Sequence, residues 1–138
     1  KEIFRPTTEP AVRKFIDSNL QSIAKNDYSV NDGSADVALS IAAGAFYYFL
    51  NQNPNSEMAP ELLYWIALYD RRMNNNLFYA ISDVYLSECV ERYPKNPFAK
   101  RCLEEYENSL MIGFSGSSGV NLPAAEEKKL KDLKKLLQ

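Results

Sequence analysis

The chain has 138 residues, 46% of them apolar and 25% charged, with a formal net charge of −2. That length and balance suit one folded domain that buries a hydrophobic core without metal or dense cross-linking, and they exclude a disordered chain. Residues 123–138 carry +2 and the remainder −4, so the main body lacks the concentrated positive charge that nucleic-acid binding requires.

The sequence begins at Lys1 with no charged and apolar leader ahead of the first helix, so a signal or anchor is expected to have been removed or left out. Lys1 to Thr8 reads as extended. Thr8 followed by Pro10 forms a helix start, and Val12, Phe15, Ile16, Leu20 and Ile23 give helical spacing over roughly Glu9 to Lys25. Asn26 to Ser34 is a turn-forming stretch in which Asp32 or Ser34 can cap the next helix.

The second predicted helix, Ala35 to Asn51, has one charge, Asp36, near its positive end. It is otherwise apolar nearly all round and is expected to be the enclosed, central helix. The small residues Ala42 to Ala45 permit close approach, and Phe46 to Phe49 fill volume. Its apolar run, Val37 to Leu50, is too short to span a bilayer.

Pro54 closes that helix, and a third is predicted from Ala59 to Met73, followed by a turn at Asn74, Asn75 and Asn76. A fourth runs from Leu77 to Tyr93, with Ile81, Val84, Tyr85 and Cys89 at helical spacing, and ends at Pro94. A fifth runs from Pro97 to Ile112 with Phe98, Cys102, Leu103, Tyr106 and Leu110 inward. Residues 113–122, GFSGSSGVNL, read as a flexible linker between a helical domain, 1–112, and a C-terminal amphipathic helix, 123–138. That last helix sets Leu130, Leu133, Leu136 and Leu137 against five lysines and is expected to cap the preceding hairpin. No segment alternates with period two for long, so an all-α fold of about six helices without a sheet is expected.

Val37, Ile41, Leu50, Pro54, Ala59 and Leu63 recur forty residues later as Leu77, Ile81, Val90, Pro94, Ala99 and Leu103. A period of this size indicates antiparallel helical hairpins stacked as an array, whose extended surfaces suit holding another polypeptide.

Ala42 and Phe46 followed by Pro54 resemble the second helix of a tetratricopeptide repeat, and Trp65 with Leu68 matches the W-x-x-L of a first helix. The stretches Ala59-Pro-Glu-Leu-Leu-Tyr-Trp-Ile-Ala and Tyr93-Pro-Lys-Asn-Pro-Phe-Ala resemble repeats of bacterial envelope proteins of the outer-membrane assembly lipoprotein type. The likeness covers about residues 34–112. Tyr69, Arg72, Ser82 and Leu86 depart from the signature, and the period of forty exceeds the usual thirty-four. The resemblance implies a tetratricopeptide-like array, a protein or peptide partner, and a periplasmic or outer-membrane-associated location, with the cytoplasm as the alternative.

There is no histidine, which removes the usual Ser–His and Cys–His nucleophile pairs and the commonest metal ligand. Glu88, Glu91, Glu104, Glu105 and Glu107 read as solvated helix surface. No catalytic residue, cofactor site or metal site is assigned. The expected function is a non-catalytic scaffold or adaptor whose groove is lined by Tyr64, Trp65, Tyr69, Asp70 and Arg72, residue types that dominate binding hot spots. The alternatives are a carboxylate-dependent hydrolase or enzyme accessory domain, and a homo-oligomer built through the leucine stripe. Cys89 and Cys102 lie symmetrically about Lys95 and Asn96. They are either two buried thiols or a disulfide across the hairpin, the latter implying an oxidising compartment.

Overall fold

The computed structural model describes residues 3–21, 33–73 and 81–138. Among them the fold is all-α, with six helices: α1 (Glu9–Asn19), α2 (Gly33–Gln52), α3 (Ala59–Met73), α4 (Ile81–Arg92), α5 (Pro97–Gly113) and α6 (Ala124–Leu136). The expected turn at 26–34, the Asn74 to Asn76 turn and the start of the fourth helix at Leu77 lie outside the described residues.

Local chemistry sets the visible helix ends. Thr8 is extended, and its hydroxyl accepts from the Ala11 amide at 3.3 Å, supplying one of the partners that a first helical turn lacks. The α1 helix ends at Asn19 with Leu20 as its C-cap, the Leu20 amide still donating to the Ile16 carbonyl at 2.9 Å, and the expected end at Lys25 lies outside the described residues. Asn96 caps α5 by accepting from the Phe98 amide at 2.9 Å, with Pro97 at a position where a missing N–H costs nothing.

Consecutive helices pack side by side from α2 through α5, α3 also touches α5, and α6 lies on both α4 and α5. The central element is α3. Every residue from Met58 to Leu68 is buried, including Leu62, Trp65, Ile66 and Ala67 at 1% exposure or less. This corrects the expectation that the second helix is the enclosed one. The α2 helix buries Leu39, Ala42, Ala45, Phe46 and Phe49 but leaves Val37 60% and Ile41 45% exposed. Val84 on α4, also expected at an inward spacing, is 61% exposed.

The stretch read as a linker holds a small antiparallel hairpin, β1 (Ser115–Gly116) with β2 (Gly119–Val120), pairing Ser115 with Val120 and Gly116 with Gly119. The expectation of no sheet fails here because two-residue strands are too short to show alternation. Gly119, at φ 104°, supplies a backbone geometry that other residues rarely adopt. Beyond it, α6 buries Leu130 and Leu133. Two of the four leucines of the stripe are therefore used within the chain, while Leu137 is half-buried and Leu136 is exposed.

Cys89 and Cys102 are joined as a disulfide across the α4–α5 hairpin, with Cα atoms 6.3 Å apart and both side chains inaccessible. The geometry requires antiparallel helices in close contact.

Candidate functional site

Of the five residues expected to line a groove, Asp70 and Arg72 tie helices together, Tyr64 and Trp65 lie in the core, and Tyr69 packs against it. Tyr64 is 6% and Trp65 1% exposed, packed edge to face with ring centroids 5.4 Å apart. Arg101 from α5 covers the outer side of Tyr64, 5.5 Å from the ring centroid. Burial, with help from Glu105, raises the Tyr64 phenol above its ordinary pKa. Tyr69 is half-buried against the core. A carboxylate oxygen of Asp70 accepts from the Ser82 amide at 2.9 Å, serving the first turn of α4, and Arg72 donates to Asp36 at 2.6 Å. The α3 face therefore binds its neighbouring helices.

Charge pairs complete that enclosure. The guanidinium of Arg13 donates to both carboxylate oxygens of Glu61, at 2.9 and 2.5 Å, with the Glu61 side chain 4% exposed. That bond holds the Arg13 pKa above its ordinary value. Glu9 accepts from the Ser56 hydroxyl at 2.7 Å, and Arg71 pairs with Glu105. With Arg13 on α1 and Glu105 on α5, ion pairs flank α3 on both sides.

A second polar cluster lies where α6 covers α4 and α5. Asp83 is partly buried, one of its carboxyl oxygens has no partner among the described residues, and burial raises its pKa against the opposing pull of Ser109, Arg71 and Lys129. The phenol of Tyr106 is pushed up to about 12, mainly by burial and then by Glu126, Asp83 and Glu91. An adjoining cleft of about 400 Å³ between α4 and α6 presents Glu91 and Asp132 beside Lys128 and Lys129. Another, of about 510 Å³, lies between residues 55–57 and 92–97, where Glu57 faces Arg92, Tyr93 and Lys95.

The surface that stands out is the outer side of α2. A helix exposing positions separated by three and four residues presents one continuous strip, and here that strip is Val37, Ser40, Ile41, Gly44, Tyr47 and Asn51. It contains no charge. Tyr85 of α4 adjoins it: the Tyr47 and Tyr85 rings meet edge to face at 5.9 Å, and their hydroxyls are hydrogen-bonded. Desolvation, followed by Glu88, raises the Tyr85 phenol. Ion pairs bound the strip, Asp36 with Arg72 at one end and Glu88 with Arg92 further along α4. A β-carbon built on Gly44 would meet nothing within 4 Å, so the middle of the strip is open.

Sequence reading missed this surface because a helix apolar on every side gives no clue to which side is covered. The visible signal was polar and small residues, Ser40 and Gly44, recurring on one side. Among the described residues no helix is long and apolar enough to cross a membrane, and no group of three or more acidic or sulfur side chains could hold a metal ion. Comparison of the chain with protein-family models, with curated proteins and with solved structures gave no match.

Proposed function

We propose that this protein is a non-catalytic interaction scaffold or adaptor, a tetratricopeptide-like array of helical hairpins that holds another polypeptide. The observation that carries this reading is the uncharged strip on α2, where aliphatic side chains at 45–60% exposure lie on successive turns. Scattered apolar residues are ordinary on protein surfaces, but a contiguous patch bounded by ion pairs is characteristic of contact with a partner. The groove assigned to Tyr64, Trp65, Tyr69, Asp70 and Arg72 is displaced from α3 to the outer side of α2 and α4. A bacterial envelope setting, periplasmic or outer-membrane-associated, agrees with the Cys89–Cys102 bond, since such bonds persist in oxidising compartments. The hydrolase alternative needs acids converging in a deep pocket, and the clefts on either side of α4 mix carboxylates with lysine and arginine instead.

Affinity purification from the native host, compared between wild type and Ile41→Asp, tests the proposal. A defined partner recovered with wild type and reduced at least tenfold with the variant is expected. Equal recovery by both would sink the assignment to this face.

A further inference from the structure

We propose that the occupant of the α2 strip is a second copy of this chain, packed α2 against α2 about a two-fold axis through Gly44. The inference rests on reading this face as the interaction surface and names its partner. Three features point to self-association. The exposed side chains of the strip pair about its glycine, with Ile41 and Tyr47 three positions either side and Val37 and Asn51 seven, while half-buried Tyr48, four positions on, lies at its margin under Arg5. An antiparallel two-fold packing therefore seats Ile41 of each copy on Tyr47 of the other.

Gly44 falls at the crossing point, where its open space lets the two backbones approach closely. Charge is the third feature. The one charged residue of α2, Asp36, falls opposite Gln52 and is already held by Arg72, so α2 itself sets no like charges against each other, and Arg5 lies at the margin over Tyr48.

The strip runs about 21 Å from Val37 to Asn51 and is one to two helices wide. It offers on the order of 500 Å² per copy, the low end of specific interfaces, so the dimer is expected to depend on concentration in the micromolar range.

Sedimentation equilibrium of the full chain over about 1 to 100 µM reads this directly. Wild type is expected to rise from the 15.7 kDa monomer toward twice that mass. Gly44→Glu sets two carboxylates facing across the axis and, with room for its side chain, should keep the same helix content and remain monomeric, weakening association at least 100-fold. Ile41→Glu with Tyr47→Glu and, separately, Ile41→Lys with Tyr47→Lys should each be monomeric alone, and an equimolar mixture of the two, which sets opposite charges at positions 41 and 47 on both sides of Gly44, should regain the dimer, a rescue that a folding defect cannot produce.

A wild-type chain that stays monomeric throughout overturns the proposal, as does a Gly44→Glu dimer as tight as wild type. So does a monomer whose α2 strip is occupied only by a different polypeptide, an outcome that leaves the interaction-face reading standing. Partner recovery independent of Ile41, by contrast, overturns the face itself.

Discussion

Glu61 is a carboxylate placed almost wholly inside the protein, and Arg13 is what makes that tenable. The guanidinium meets both of its oxygens, while Arg13 itself stays 45% exposed, so the pair is only half desolvated. Removing Arg13 strands a buried charge, and Arg13→Ala is expected to lower stability by about 1–3 kcal/mol, less than for a fully buried pair because solvent screens one member. Urea unfolding measures this, and Arg13→Met with Glu61→Leu should recover most of the loss. Asp83 poses the opposite case. Its folded pKa is raised, so its contribution to stability is present below the ordinary carboxylate pKa and is lost as pH rises through the raised value. At neutral pH the buried charge is a cost, and Asp83→Asn, which keeps an acceptor for Ser109, should raise the urea midpoint at pH 7 with a gain that fades on acidification. A midpoint lowered at pH 7 would show that Arg71 and Lys129 outweigh burial.

At the scale of elements, the helices with chemical punctuation were legible in the sequence. Thr8 and Pro10 open α1, and Asn96 with Pro97 opens α5, because capping is a short-range interaction that residue type alone determines. Which face of an element is covered is a tertiary matter and was less legible. The α2 helix is apolar on all sides, so its composition could not distinguish Val37 and Ile41, which are exposed, from Leu39 and Phe46, which are not. Trp65 was equally ambiguous as anchor or core, and burial decides for the core. The Cys89–Cys102 bond joins the two elements whose antiparallel packing the turn at Pro94 to Asn96 sets up. Closing so short a loop is expected to contribute about 2–3 kcal/mol. Calorimetry with and without reductant measures it, and Cys89→Ala with Cys102→Ala should melt like the reduced protein. Two alkylatable thiols in protein prepared under oxidising conditions would contradict the bond.

For the whole molecule, the arrangement of helices explains why the partner surface lies where it does. Ion pairs from α1 and α5 flank α3, and α6 closes the other end of the packed helices with Leu130 and Leu133. The outer side of α2, with Tyr85 of α4 beside it, is left as an uncharged strip, while the other exposed large apolar side chains among the described residues, such as Ile3, Ile112, Val120 and Leu136, lie on other segments. The most direct test is site-specific photo-cross-linking in cells, with a photoreactive phenylalanine analogue at position 47 in the strip and, separately, in place of the exposed Asn108 of α5. A discrete polypeptide adduct formed from position 47, abolished by Ile41→Asp and absent from position 108, is the predicted result. No polypeptide adduct at position 47, or equal adducts at both positions, would contradict the account.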